Sequence, residues 1–260
     1  MADWNDSRSR QGFGRPAFGA SPSQAGEVRT VNDAGLRKHM LSIYNYMASG
    51  VLLTGIVALL TAQSGLAYSF ASGPVMWLVA LSPLAIVFAM SFGANKFSTG
   101  TLQLLFWGFA FLMGLSLSTI FLVYTGASVA ATFFATAGAF AGLSLFGYTT
   151  QKDLSGMGSF LIMGVIGLII ASLINMFLQS EALMWAVSFI GVLIFAGLTA
   201  YDTQRLKTEY LQVQRMKVTN PGVAAAFPLG KMVIMGALSL YLDFINMFLF
   251  LLRFMGVQRD

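Results

Sequence analysis

The chain has 260 residues, of which 57% are hydrophobic and only 10% are charged. An average soluble domain carries roughly 25% charged residues, so a soluble protein of this size could not cover its surface with so few charges. The chain contains no cysteine, which excludes disulfides, thiolate metal sites and cysteine nucleophiles. The composition therefore predicts a protein whose solvent is lipid.

The formal net charge of +5 does not indicate a nucleic-acid partner. The basic residues are scattered over a tail and several loops, and in a membrane protein such scattering records topology. Residues 1–36 are rich in Ser, Gly, Gln, Asn, Asp and Arg and have no apolar period. They predict a disordered tail and no signal peptide. Residues 37–260 form the predicted membrane domain.

Seven segments that follow the tail are long and apolar enough to cross a membrane, which requires about 20 apolar residues. Their bounds are 41–63, 74–93, 102–124, 127–147, 159–178, 182–202 and 232–253. The predicted fold is therefore an all-α polytopic bundle of seven transmembrane helices. Gly138 and Gly142 in the fourth span have a spacing that permits close helix contact, although glycine is an equally common filler in membrane helices.

The distribution of Lys and Arg predicts a cytoplasmic N-terminus. Of the 15 basic residues, all but Arg253 and Arg259 lie in the tail, in the loops after the second, fourth and sixth spans, or just before the seventh. Seven spans then put the C-terminus on the outer side, unless the last segment is re-entrant and returns inside.

Two aspartates interrupt the last two apolar segments and are the main functional candidates. Asp243 lies near the middle of the seventh predicted span, and Asp202 lies at the cytoplasmic end of the sixth. A charge inside the membrane is costly, so a carboxylate there predicts a functional role. For Asp202 an ordinary carboxylate at the interface is the alternative.

Carboxylates on consecutive helices can share a proton, and their titration then belongs to the pair. When deprotonated they offer hard oxygen ligands that suit Ca²⁺. In ideal straight spans, however, Asp202 and Asp243 would differ in depth by about 15 Å at 1.5 Å per residue. Pairing would then require the seventh helix to begin late, near Met235, or to be broken.

Four further residues are candidates for lining the same cavity. Asn175 and Asn246 could line it or could hydrogen-bond between helices, and the second alternative is favoured. Tyr201, which precedes Asp202, and Tyr241, two residues before Asp243, are candidates for the same role.

Known classes of intramembrane enzyme and pigment protein do not fit. A serine protease needs histidine inside a span, whereas His39 is at the edge of the first. A retinal protein needs lysine within the last span, and Lys231 only precedes it. An aspartyl protease motif is matched at Tyr201-Asp202, but residues 240–243 lack its two glycines. We therefore expect neither catalysis nor a cofactor.

Two segments resemble the signature segments of the Bax inhibitor-1, or transmembrane Bax-inhibitor-motif, family, in the style of its bacterial YccA-like branch. They are residues 195–204, FAGLTAYDTQ, and residues 237–246, ALSLYLDFIN. The resemblance covers residues 36–258, and the segment KDLS at 152–155 supports it. It implies a compact bundle whose seventh helix is enclosed by the other six, in a bacterial inner membrane.

The resemblance also implies a function. Bacterial members are described as pH-sensitive calcium leak channels governed by a pair of aspartates, and Asp202 and Asp243 fall on those positions. The family uses a basic residue at the cytoplasmic end of the second helix as a latch on the first aspartate. Counting without gaps puts Lys96 there, as a point charge without the bidentate fork of arginine.

The implied mechanism is a latch that acid releases. At higher pH an ionised carboxylate would be held by Lys96 and the cytoplasmic end would be closed. Protonation would cancel that attraction, and Ca²⁺ would compete with protons for the same oxygens. The alternative function is a non-conducting regulator of a membrane AAA protease or of membrane quality control, with the N-terminal tail as its working part. The expected partners are the lipid bilayer, Ca²⁺ and protons, and in the alternative a membrane protease.

Overall fold

The computed structural model describes residues 22–71, 73–219 and 228–259. Within these ranges the chain forms nine helices: α1 (Pro22–Gln63), α2 (Leu66–Phe70), α3 (Gly73–Gly93), α4 (Thr99–Leu117), α5 (Ile120–Val123), α6 (Gly126–Thr149), α7 (Ser155–Leu178), α8 (Glu181–Thr219) and α9 (Leu229–Met255). Seven spans are long and apolar enough to cross a membrane. They are α1, α3, α4 together with α5, α6, α7, α8 and α9. The prediction of an all-α bundle with seven spans is confirmed.

The predicted boundary between tail and membrane domain lies inside the first helix. Residues 1–21 are outside the described part of the chain, so their predicted disorder stays a prediction. Helix α1 already begins at Pro22, within the segment for which no helix was expected. The residues that pack together as the membrane domain begin at Leu36.

Helix α9 is the central helix of the bundle. In its most apolar window 61% of the residues are buried, against 11–39% in the other spans. Helices α4, α6 and α8 pack directly against it. Helix α7 is the least buried span, because only 11% of the residues in its apolar window are buried. Side chains such as Phe160 and Phe177 are therefore left for lipid.

A buried chain of hydrogen bonds ties α9 to α1 and α4. The Oγ1 of Thr54 donates to the carbonyl of Ala110 at 2.7 Å, and the Tyr241 hydroxyl lies 2.7 Å from the same Oγ1. Because the one hydroxyl proton of Thr54 goes to Ala110, Tyr241 is the donor to Thr54. The Tyr241 ring packs edge-on against Phe109, with 4.9 Å between ring centroids. Tyr241 therefore joins three helices in the core, and it is not among the residues that line the two cavities described below.

Helices α6 and α8 approach most closely at a glycine that the spacing argument did not select. A Cβ added at Gly147 would overlap the carbonyl oxygen of Ala200, whereas nothing lies within 4 Å of a Cβ at Gly138 or Gly142. The buried face of α6 carries Thr132, Thr136, Phe140, Ser144 and Gly147, at helical spacing. Gly138 and Gly142 are exposed on the other face, so they do not permit the helix contact.

We predict that Gly147→Ala destabilises the bundle by about 1–3 kcal/mol, because the added methyl group must push α8 away from α6. The measurement is the midpoint of heat-induced loss of monodisperse protein in detergent. Gly142→Ala is the matched control, since its methyl group enters open space. Equal midpoints for the two variants would contradict the close approach.

Candidate functional site

Contacts between α8 and α9 bring the two aspartates to the same level. The Nη2 of Arg205 donates to the Oγ of Ser239 at 3.1 Å. Further along, the rings of Phe195 and Phe250 stack with 5.9 Å between centroids. Because α8 and α9 are antiparallel, residue numbers rise along α8 in the direction in which they fall along α9. Asp202 therefore lies opposite the turn that carries Asp243, and the two are only 6% and 5% exposed.

The expected difference in depth is removed in a way that the sequence did not predict. Helix α9 begins at Leu229 and continues to Met255, so it neither starts near Met235 nor breaks. Instead, α8 continues past Asp202 to Thr219, about 25 Å further at 1.5 Å per residue. The predicted depth difference between Asp202 and Asp243 was wrong because the sixth helix does not end at Asp202.

Arg205 is the cation of the site. Its Nη1 lies 3.1 Å from Oδ1 of Asp202, three residues earlier on the same helix. Its Nε lies 3.4 Å from Oε1 of Glu209, whose side chain is 45% exposed. The charged groups that act on the carboxyl of Asp243 are Asp202 and Arg205. The ion pairs of Arg205 are therefore with Asp202 and Glu209, and two buried carboxylates face this one cation when Asp202 and Asp243 are both ionised.

One oxygen of Asp243 is free to take a proton or a cation. Its Oδ2 is buried and has no hydrogen-bond partner among the described residues. A buried acceptor without a partner loses its hydration and gains nothing in exchange, at a cost of about 1–3 kcal/mol or more for a charged group. Binding of a proton or a metal cation is therefore more favourable in free energy at this oxygen than elsewhere in the cluster.

Lys96 does not reach this cluster. Its side chain is exposed in the turn between α3 and α4, and the cation on Asp202 is Arg205. The turn is held instead by the start of α9, where Nζ of Lys231 lies 3.3 Å from the carbonyl of Ala94. The gapless count located Lys96 correctly after the second span, but α3 packs mainly against α4 and not against α8.

The segment 201–204 fixes the surroundings of Asp202 with each of its other side chains. The Tyr201 ring fills the space above Gly158 of α7. The Oγ1 of Thr203 donates to the Oγ of Ser144 on α6 at 3.3 Å. The amide of Gln204 clamps the loop after α6, because it donates to the Lys152 carbonyl and accepts from the Leu154 N–H, each at 2.8 Å. Asp202 is thus held between α6 and α7.

The two asparagines bond locally. Oδ1 of Asn175 accepts from the N–H of Ser180 at the α7–α8 turn. That turn is about 25 Å along α7 from Gly158, which contacts Tyr201, so Asn175 does not reach the aspartates. Asn246 donates to the carbonyl of Leu242 on its own helix at 2.8 Å. Neither asparagine links two spanning helices, contrary to the favoured alternative.

Two cavities open among the described residues, with volumes of about 690 and 440 Å³. Both lie between α1 and α6, and neither is lined by Asp202 or Asp243. In the part of the chain that the structure describes, no three His, Asp or Glu side chains converge as a metal site. The low exposure of Asp202 and Asp243 shows that packed helices enclose the pair.

Comparison with known proteins identifies the family of this chain. The family model described as inhibitor of apoptosis-promoting Bax1 matches residues 36–260. The chain belongs to the Bax inhibitor-1 family. Inner membrane protein YbhL of Escherichia coli (strain K12) is 47% identical over 228 residues, which cover 87% of this chain and 94% of that protein. An uncharacterized protein of Caulobacter vibrioides is 48% identical over 238 residues, covering 88% and 92%.

Family membership confirms the resemblance seen in the two signature segments. Sequence reasoning found both aspartates but missed Arg205 and Ser239. A signal for Arg205 was present, because residues three apart on a helix are neighbours and the pair Asp202–Arg205 has that spacing. No comparable signal exists for Ser239, since its role depends on the register between two helices.

We predict that Arg205→Gln lowers the stability of the folded protein and that Asp202→Asn in the same chain restores most of the loss. Removing the cation leaves the buried carboxylate of Asp202 without its counter-charge, whereas neutralising Asp202 as well removes that charge. Unfolding in detergent of the two single variants and the double variant gives the coupling free energy. Glu209→Gln is the control, and its half-exposed pair contributes below about 1 kcal/mol. Additive effects of the two substitutions would contradict the pairing.

Proposed function

We propose that this protein is a pH-sensitive cation leak in a bacterial inner membrane, that Ca²⁺ is its substrate, and that the pair Asp202–Asp243 gates it together with Arg205. The observation that carries the proposal is the buried pair of carboxylates on the central helix and its neighbour, with the guanidinium of Arg205 3.1 Å from Asp202. Ionisable groups inside a membrane bundle typically mark ion or proton pathways. The resemblance to calcium-leaking bacterial relatives supports the same assignment.

The described conformation corresponds to the closed state. With both carboxylates ionised, Arg205 contacts Asp202 and Ser239 and so joins α8 to α9. Neither cavity reaches the pair from the sides of the bundle. Ions cannot pass between helices that pack at interior density.

Protonation opens the site by removing the attraction that holds it together. A neutral carboxyl at Asp202 or Asp243 no longer balances the guanidinium of Arg205. The link through Ser239 weakens, and α8 is free to move relative to α9. A population shift of this kind requires a difference of only a few kcal/mol between the two states.

Ca²⁺ acts on the same oxygens as a transient ligand. A stable calcium site takes 6–8 oxygen ligands, and this cluster offers two carboxylates and a serine hydroxyl. Such an incomplete ligand set favours transient binding of Ca²⁺ during passage over stable binding. As a divalent cation, Ca²⁺ also competes with Arg205 and with protons for the carboxylates, so acid favours opening while it weakens binding.

The orientation follows from the basic end of the bundle. Lys231 contacts the turn before Lys96, and Gln204 of α8 contacts the carbonyl of Lys152. The loops with most of the basic residues and the polar extension of α8 therefore share one end. By the positive-inside rule this end, with the N-terminus, is cytoplasmic.

The proposal is tested by Ca²⁺ entry into proteoliposomes that contain the purified full chain, between about pH 5 and about pH 8. We expect flux that rises as the pH falls, and loss of this pH dependence in Asp243→Asn and Asp202→Asn. Glu209→Gln is the matched control, because it removes a carboxylate from the edge of the cluster and should keep the pH profile. Folded protein without flux above empty liposomes would sink the leak and favour the regulator.

A second experiment separates the two candidate cations. Arg205→Gln should raise the flux at about pH 8 by roughly tenfold, because a hydrogen-bonded charge that holds the closed state is worth about 1.5–3 kcal/mol. Lys96→Gln should leave the flux at every pH unchanged, since its side chain is exposed. The opposite result, an open channel in Lys96→Gln alone, would restore the latch that the sequence predicted.

A further inference from the structure

A groove between α1 and α6 lies at the basic end of the bundle, apart from the aspartate cluster. Its volume is about 440 Å³, within the range of roughly 300–1,000 Å³ that small-molecule sites occupy. Most of its wall is apolar and is formed by side chains from both helices, namely Met40, Leu41, Phe140, Ala141 and Leu145, with Tyr44 and Ser144 among them. Its shallow end carries Arg37 and Tyr148.

Two cations flank the shallow end. Arg37 is exposed and lines the groove directly. Lys207 of α8 is held at Tyr148, which lines the same end of the groove. Its Nζ donates to the carbonyl of Tyr148 at 2.8 Å and lies 5.1 Å from the centroid of the Tyr148 ring. An ammonium group has three donors, so further donors of Lys207 remain for an anion. No carboxylate is among the described residues that line the groove.

We propose that this groove binds an anionic phospholipid of the surrounding bilayer. The phosphate lies between Arg37 and Lys207, and the glycerol and the first acyl carbons follow the apolar wall past Met40 and Phe140. Basic pockets between membrane helices recognise anionic headgroups in this way. Between Arg37 and Tyr44 the groove extends about 10 Å along α1, so it holds the part of the lipid next to the headgroup.

The polarity of the groove selects this occupant over the alternatives. A free phosphate would satisfy the cations but would leave the apolar wall without contacts. A phosphatidylcholine would bring its own quaternary ammonium group toward two cations, which reduces the attraction. An amphipathic molecule with a net negative head satisfies both parts. The larger cavity differs, because Arg259 is the one charged residue among its described lining residues.

The test is native mass spectrometry of the purified full chain in a nonionic detergent. The protein is titrated with phosphatidylglycerol or with phosphatidylcholine that has the same acyl chains. We expect tighter binding of the first phosphatidylglycerol molecule, and a loss of about fivefold in its affinity for Arg37→Gln and for Lys207→Gln, since each basic residue near a headgroup contributes about that factor. Arg215→Gln is the control, as it removes an exposed charge from α8 away from the groove.

A second variant separates groove binding from general attraction to the basic end. Ala141→Trp leaves every charge in place and fills the apolar wall from an exposed position on α6. It should lose the tight phosphatidylglycerol molecule while it remains monodisperse. Unchanged binding in Ala141→Trp, or equal losses in Arg37→Gln and Arg215→Gln, would overturn the site. These measurements need no ion flux, so their outcome is independent of the proposed leak.

Discussion

The structure depends on how a buried pair of carboxylates is compensated inside lipid. Neither Asp202 nor Asp243 can be hydrated where it lies, and the cost of an isolated charge there is several kcal/mol. The guanidinium of Arg205 provides the compensation through a contact of 3.1 Å to Asp202, and it reaches across to Ser239. For this contact to exist, α8 must extend beyond the apolar segment and α9 must pass it unbroken. The lengths and register of both helices follow from that requirement.

Helix α9 is held differently on its two sides. Ser239 and Asp243 are four residues apart and face α8, whereas Tyr241, two residues from each, is turned by about 200° toward α1 and α4. On that side the bonds from Tyr241 to Thr54 and on to Ala110 contain no group that titrates near neutral pH. The side toward α8 is held by charges. In the proposed gating, proton binding acts on one face of α9 while the other face keeps the helix in position.

Hydropathy alone predicted the seven spans, because a bilayer requires about 20 apolar residues for each crossing. The positions of the two aspartates within those spans were also sufficient to identify the candidate pair. The sequence could not predict contacts that depend on which face of a helix is buried. Gly138 and Gly142 have a packing spacing but face outward, and the polar residues that follow Asp202 continue the helix instead of forming a loop. Lys96 failed to reach Asp202 for the same reason, since a count along the chain does not say which helices touch.

In the proposed gate, a cation on the same helix as Asp202 changes which helices must move. A lysine on α3 would make the gate a contact between α3 and α8, and opening would separate those two helices. Arg205 is three residues from Asp202, so their ion pair survives any rigid movement of α8. What such a movement breaks is the contact of Arg205 with Ser239 and the interaction of the cluster with Asp243. Protonation of the pair should therefore displace α8 against α9, with Gly147 and Gly158 as the close contacts that α8 must slide along. Helix α3, which packs on α4 at the edge, has no part in that displacement.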